Sequence, residues 1–224
     1  MSVAGPHAGQ PVLAAGEPPE RAVAAMVLLH GRGAGAEDIL TLVPELPTAG
    51  WAFLAPQAAG GAWYPNSFRA PIESNEPWLT SALDVVAGQI GRLGDGGLPP
   101  GRVVLLGFSQ GACLTAEFAF RHPRAYGGVL VLSGGLIGPP GITWNDPEGS
   151  LAGARVFLGC SDVDAHIPQE RVLETEAVFK RMDATVTRRL YPGMGHLVND
   201  DEIAFVRGVL DVVAAHPRPR RAPV

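Results

Sequence analysis

An α/β fold, with a mostly parallel sheet and helices on both faces, is what the sequence predicts, folded as a single domain. Three observations carry this expectation. Apolar runs rich in branched residues recur at Ala24 to Leu29, Trp51 to Ala55, Val103 to Leu106, Gly128 to Ser133 and Ala154 to Gly159, and each reads as a strand buried on both faces. Most of the stretches between them carry helix signals, and strands joined through helices lie parallel. The 224 residues suit one such domain and leave no room for a second of ordinary size.

Residues 1–22 form an N-terminal segment with one edge strand, Gln10 to Ala15, and a turn at Glu17-Pro18-Pro19. The main domain spans residues 23–215. Its first strand, Ala24 to Leu29, ends in His30-Gly31-Arg32-Gly33, and a helix is expected from Ala36 to Val43, stopped by Pro44. Gly31-x-Gly33-x-x-Ala36 matches the loose dinucleotide fingerprint. Such a site also needs an acid about 20 residues on, at the end of the second strand. That strand, Trp51 to Ala55, ends in Pro56-Gln57 with no acid, so no cofactor is expected. The loop is better read as an oxyanion loop, in which the backbone N–H of Arg32 faces a carbonyl oxygen developing negative charge. His30 then has a structural role, its ring hydrogen-bonded to hold the loop.

Gln57 to Asn75 is a Gly-, Ala- and Pro-rich loop that also carries Trp63, Tyr64 and Phe68. Three aromatics in one loop form either a satellite core or a wall of a substrate pocket. A helix follows from Glu76-Pro77 to Leu93, with proline in its first turn. The next strand leads into Gly107-Phe108-Ser109-Gln110-Gly111 and then a helix from Ala112 to Arg121. Strand, Gly-x-Ser-x-Gly and helix together make the context of a nucleophile elbow, a strained turn that presents its serine above the sheet. Gly107 and Gly111 are required because side chains there would collide with the adjoining strand and helix. The N–H of Gln110, just after the serine, is the second oxyanion donor.

Beyond the strand at Gly128 to Ser133, the irregular stretch Gly134 to Ser150 offers Leu136, Ile137 and Trp144 as further pocket residues. The strand Ala154 to Gly159 leads to a loop bearing Asp162, Asp164 and His166, and Pro168 opens a helix to about Met182. The last strand, Thr185 to Tyr191, runs into Pro192-Gly193-Met194-Gly195-His196, a glycine-padded loop presenting one histidine, with Met194 a further pocket candidate. A closing helix covers Asp201 to Ala214. Residues 216–224, with three prolines and three arginines, read as a disordered tail.

Composition narrows the function. A net charge of −5 argues against a nucleic-acid partner. No stretch approaches the roughly 18–20 apolar residues of a membrane span, and the N-terminus has no basic region followed by an apolar run. The two cysteines, Cys113 and Cys160, make no disulfide framework and read as core thiols in a reducing, cytoplasmic setting. No Cys/His/Asp cluster has metal-ligand spacing, so no metal is expected.

Ser109, an aspartate of the 162–164 loop and His196 follow the chain order of α/β-hydrolase triads, each after a strand end. Together with His30-Gly31-Arg32-Gly33, Gly107-Phe108-Ser109-Gln110-Gly111, Asp162-Val163-Asp164-Ala165-His166-Ile167-Pro168 and Gly193-Met194-Gly195-His196, this resembles the phospholipase/carboxylesterase family, which includes acyl-protein thioesterases and small bacterial carboxylesterases. The resemblance runs from about Ala24 to Asp211. It implies a single-domain α/β-hydrolase fold without a cap domain and a triad of Ser109, Asp164 and His196. The family's acid is the second aspartate of a Gly-Asp-x-Asp-Pro-x-Val-Pro pattern, which falls on Asp164; Asp162 then braces or caps the loop. Ala165 departs from the pattern's proline. Arg32 stands where an apolar residue is usual, and its side chain is expected to favour polar or anionic substrates. His166 beside the acid loop is either a pocket residue or an exposed loop histidine.

The function implied is a serine carboxylesterase acting on small to medium acyl esters through an acyl-enzyme, with a small-molecule ester as partner, as a monomer or homodimer. Alternatives are a thioesterase or lysophospholipase for longer acyl chains and, in a different class, a non-catalytic α/β-hydrolase-fold binding protein. A dienelactone-type hydrolase would carry cysteine at the elbow, where this chain has Ser109.

Overall fold

The computed structural model describes residues 5–145 and 149–215; the tail expected at 216–224 lies outside the described residues. Its strands are β1 (Val12–Gly16), β2 (Ala24–Leu29), β3 (Trp51–Pro56), β4 (Val103–Phe108), β5 (Gly128–Leu132), β6 (Arg155–Ser161) and β7 (Thr185–Tyr191). They form one sheet in the order β1-β3-β2-β4-β5-β6-β7. β1 pairs antiparallel with β3, and all other pairs are parallel. The helices are α1 (Ala36–Leu40), α2 (Trp78–Asp95), α3 (Gln110–Arg121), α4 (Gln169–Arg181) and α5 (Asp200–Ala215).

Alternation along the strands divides the core in two. Ala25, Val27, Leu29, Leu105, Val129, Val131 and Leu158 face one side, where α2, α3 and α4 cover them. Met26, Leu28, Leu106, Leu130 and Phe157 face the other, beneath α1 and α5. Because both faces are covered, the central strands are apolar at every position, which is what made them readable as continuous runs.

Several element bounds differ from expectation; helix α2, for one, runs Trp78–Asp95, with Pro77 at its N-cap rather than in its first turn. β1 begins two residues later, at Val12. Helix α1 stops at Leu40, and Pro44 sits instead in a 3-10 turn, Val43–Glu45, where its missing N–H costs no hydrogen bond. Helix α3 begins at Gln110, immediately after the serine, so the elbow turns within one residue.

The chain leaves β2 toward β3 and returns at β4 on the other side of β2. That reversal opens a crevice at the carboxyl ends of the strands. Two contacts make it tight. A side chain at Gly111 would drive into the Leu29 carbonyl at the end of β2, and one at Gly107 would drive into the Gly111 carbonyl. Helix α3 therefore starts against bare backbone, and Ser109 takes up the turn with φ 56° and ψ −118°, in the left-handed half of the map that a serine rarely adopts.

Helix α5 starts with a reciprocal cap. Asn199 N–H donates to Glu202 Oε2 at 3.0 Å, and Glu202 N–H donates to Asn199 Oδ1 at 2.9 Å. The Glu202 side chain is fully buried, its Oε1 has no hydrogen-bond partner among the described residues, and it abuts Gly159 of β6. Burial pushes its pKa up to about 7. Among the described residues, no helix is long and apolar enough to cross a membrane.

Two outcomes follow from this packing. Gly111→Ala is expected to destabilise the fold by about 3 kcal/mol or more, read by urea denaturation, because backbone on both sides of the clash must move. Glu202 has a raised folded pKa, so its contribution to stability is complete below the unfolded value near 4.5 and is lost as pH rises through about 7. Glu202→Gln removes that loss. Between pH 5 and pH 8 the variant should gain roughly 2–3 kcal/mol relative to the wild type in the same assay, and parallel pH profiles would refute this.

Candidate active site

The crevice brings together loops from five strand ends, those of β2, β3, β4, β6 and β7. After β4, the Ser109 hydroxyl lies 2.8 Å from His196 Nε2. After β7, His196 turns its Nδ1 to Asp164 Oδ2 at 2.7 Å. With the serine O–H donating to Nε2, the ring proton sits on Nδ1 and is donated to the carboxylate, which fixes one tautomer. Phe108 packs against the His196 ring at 5.0 Å between centroids.

Asp164 is held by backbone. Its Oδ1 accepts the N–H groups of His166 (2.8 Å) and Ile167 (3.0 Å), from the short connection leading into α4. Burial of its fully buried side chain would raise the pKa, but the hydrogen bonds from His196, His166 and Ile167 outweigh it and hold the carboxyl below the ordinary aspartate value. Asp162 does something else: its Oδ1 accepts the Gly193 N–H at 2.8 Å. Ser161 Oγ accepts the Gly195 N–H at 3.1 Å. These two bonds zip the loop after β6 to the loop after β7, with His196 as its next residue. The role of Ser161 is not visible in the sequence, because a serine at a strand end has no pattern that names its partner.

The His30–Gly33 loop lies against the elbow, since a Cβ at Gly31 would stand 3.4 Å from Ser109 Cβ. The N–H of Gln110 belongs to the first turn of α3, where backbone donors have no intrahelical acceptor. Its side chain is occupied elsewhere, with Oε1 accepting the Trp63 N–H at 2.9 Å and Nε2 donating to the Tyr64 carbonyl at 2.8 Å. His30 is fully buried, with Nδ1 2.8 Å from the Gly31 carbonyl and Nε2 accepting the Ala58 N–H at 3.1 Å. This neutral ring spans the loops after β2 and β3, and burial lowers its pKa. Gln57, at the position where a dinucleotide site needs an acid, instead accepts the Ala36 N–H at the start of α1 at 2.8 Å.

His7, which the sequence did not single out, is a second such anchor. Its Nε2 lies 3.0 Å from the Trp63 carbonyl, and its Nδ1 accepts the Ala59 N–H at 3.1 Å. A lone histidine in an N-terminal segment carries no signal for a contact this distant in sequence.

A cleft of about 440 Å³ opens above Ser109. Tyr64, Phe68 and His166 line it, as do Arg32, Gln110 and His196; Cys113 and Ile167, not anticipated, also contribute. Five expected pocket residues do not line it; one of them, Trp144, instead packs beneath the Arg171 guanidinium, which lies 5.0 Å from the indole ring centroid. Trp63 is buried beneath the loop and donates its indole N–H to the His30 carbonyl. Leu136 and Ile137 are fully buried in the core beside α3 and α4. Met194 turns toward the start of α5, its sulfur 2.8 Å from Asn199 Nδ2. Side-chain hydrophobicity in a loop does not report depth, which is the common cause.

The expectation for Arg32 also changes. Its guanidinium donates to the carbonyls of Tyr64 (2.9 Å), Pro65 (3.0 Å) and Asn66 (2.7 Å), so it braces the aromatic loop. His166 is exposed at the cleft, edge-on to His196 at 4.8 Å. Burial raises the thiols of Cys113 and Cys160 to about 12, so neither is a thiolate near neutral pH. Among the described residues, no group of three or more His, Cys, Asp or Glu is arranged to hold a metal ion.

Known proteins resemble the chain in both sequence and fold. It is 34% identical over 131 residues to acyl-protein thioesterase 1 of Eremothecium gossypii, covering 55% of this chain and 54% of that one. The chain spans about half the length of the first curated relatives it matches. The crystal structure of a phospholipase/carboxylesterase from Dyadobacter fermentans superposes with a TM-score of 0.86 at 38% identity, over 90% of this chain and 96% of that one. A carboxylesterase from Bacillus cereus, at 17% identity, a TM-score of 0.70 and coverage of 92% of this chain and 95% of that one, shares the fold. The model of the phospholipase/carboxylesterase family matches residues 10–214. With its elbow, its strand order and this match in agreement, the chain belongs to the phospholipase/carboxylesterase family of α/β-hydrolases.

Proposed function

We propose that the chain is a serine carboxylesterase that hydrolyses small to medium acyl esters through an acyl-enzyme. The observation that carries this reading is the unbroken hydrogen-bonded line from Ser109 through His196 to Asp164 at the floor of an open cleft. In the reaction, His196 Nε2 takes the hydroxyl proton as Ser109 Oγ attacks the ester carbonyl carbon. Negative charge collects on the carbonyl oxygen, where the N–H groups of Arg32 and Gln110 receive it. As the carbon–oxygen bond breaks, His196 returns the proton to the leaving alcohol. Water then repeats the sequence on the acyl-serine, with His196 again the base. Asp164 stabilises the imidazolium throughout and keeps its own negative charge.

The cleft's volume supports shorter acyl groups: about 440 Å³ lies toward the lower end of the range typical of small-molecule sites. The second reading, a thioesterase or lysophospholipase for longer chains, draws its support from the thioesterase named among the relatives. A series of model esters of increasing acyl length distinguishes the two. The free buried cysteines fit a reducing, cytoplasmic setting.

A serine-reactive fluorophosphonate should add one adduct to the intact protein and none to Ser109→Ala, and that variant should lose at least about 10⁴ in turnover. An unlabelled wild type, beside a labelled control esterase, would instead favour the non-catalytic binding protein. Asp164→Asn should cost far more activity than Asp162→Asn, since only Asp164 touches the His196 ring. Equal losses would overturn the assignment of the acid.

A further inference from the structure

A second crevice, of about 330 Å³, opens beside the oxyanion loop. It shares Gly31, Ala34 and Phe108 with the cleft above Ser109. The two spaces diverge over opposite faces of the sheet. Tyr64, Phe68, Cys113 and Ile167 of the cleft belong to the core beneath α2, α3 and α4. In the crevice, Ile39 belongs to the core beneath α1 and α5, and Leu42, Phe108 and Val198 pack half-buried against it.

An ester has two arms that diverge from its carbonyl carbon. With the carbonyl oxygen at the N–H groups of Arg32 and Gln110, each arm needs its own space, and two spaces meet at this loop. The proton limits where the leaving arm starts. The leaving oxygen must lie within reach of His196, because that ring protonates it. His196 itself stands at the cleft, while Phe108, packed on its ring, lines both spaces and Val198, two residues beyond it, lines the crevice, so an arm that starts at that ring has the crevice open to it. The acyl arm takes the cleft, the larger of the two spaces, whose inner wall includes buried Cys113, one helical turn from Ser109.

Charge refines the assignment. Asp38, exposed at the crevice, is fixed by accepting the Gly35 N–H at 2.5 Å. The other titratable side chain of the lining is His30, neutral and fully buried. We propose that this crevice is the leaving-group subsite, and that it selects esters of neutral, apolar alcohols, aryl or branched alkyl, over esters of anionic alcohols. The inference rests on the ester-hydrolase reading above.

The test compares kcat/KM for 1-naphthyl acetate and ethyl acetate, which share an acyl group, in the wild type, Leu42→Trp and Leu42→Ala. Fluorophosphonate labelling of each protein serves as the check on an assembled site. Leu42→Trp fills the crevice and should lower the naphthyl-to-ethyl ratio by at least about 10-fold, the scale on which an apolar pocket discriminates by size. If Leu42→Trp fails to label, Leu42→Ala decides: a changed ratio supports the subsite and an unchanged one overturns it. Labelled proteins with the same ratio throughout overturn the subsite while leaving the esterase reading intact. A wild type that neither labels nor hydrolyses either ester overturns both. Asp38→Asn supplies the charge arm, and should raise the para-carboxyphenyl to phenyl acetate ratio by about threefold. No rise would remove the selection against anions.

Discussion

The close approach of α3 to the end of β2 is the constraint on which the site depends. Only a glycine at 111 lets the helix begin with its backbone against the Leu29 carbonyl, and only a glycine at 107 lets the preceding strand pass beneath. Between these fixed points the chain has one residue in which to reverse, and Ser109 absorbs the strain with a positive φ. The energy stored there is returned as position. The hydroxyl projects from a rigid corner, and the same turn leaves the Gln110 N–H at the free first turn of α3. In the proposed reaction, nucleophile and one oxyanion donor therefore come from a single backbone event.

The remaining parts are tied to that corner by short polar bridges. Asp162 and Ser161 hold the glycine-rich loop that ends in His196, while Asp164 receives the ring. Two residues apart in one loop, the aspartates divide the work of holding the loop and orienting the imidazole. On the opposite side, His30 and His7 each accept a backbone N–H from the segment after β3, at Ala58 and Ala59. Both rings work in the neutral form, so the aromatic wall of the cleft is built without a buried charge.

How much of this the sequence revealed follows from the range of the interactions involved. The central strands were legible because burial on both faces demands an unbroken apolar run, and β2 through β6 supply it. The elbow and the loop of His196 were legible because their glycines are imposed locally. Asp162 and Asp164 could not be told apart from the residues alone, since both occupy one loop and only the direction of each side chain separates them. Pocket residues were the least legible. Trp63, Leu136, Ile137 and Met194 have the right chemistry for a wall, yet each turns away from the cleft into packing or onto a partner met only in three dimensions. His7 reaches Trp63 across 56 positions, a pairing with no sequence period.

Arg32 joins two duties that elsewhere fall to separate residues. In the proposed reaction its main chain supplies an N–H to the carbonyl oxygen, and its side chain staples the Tyr64–Asn66 carbonyls of the cleft wall. Replacement of the side chain leaves the peptide N–H in the backbone and releases the staple. Under the proposed reaction, a change of side chain at position 32 therefore acts on the cleft wall, while the donor group itself belongs to the main chain.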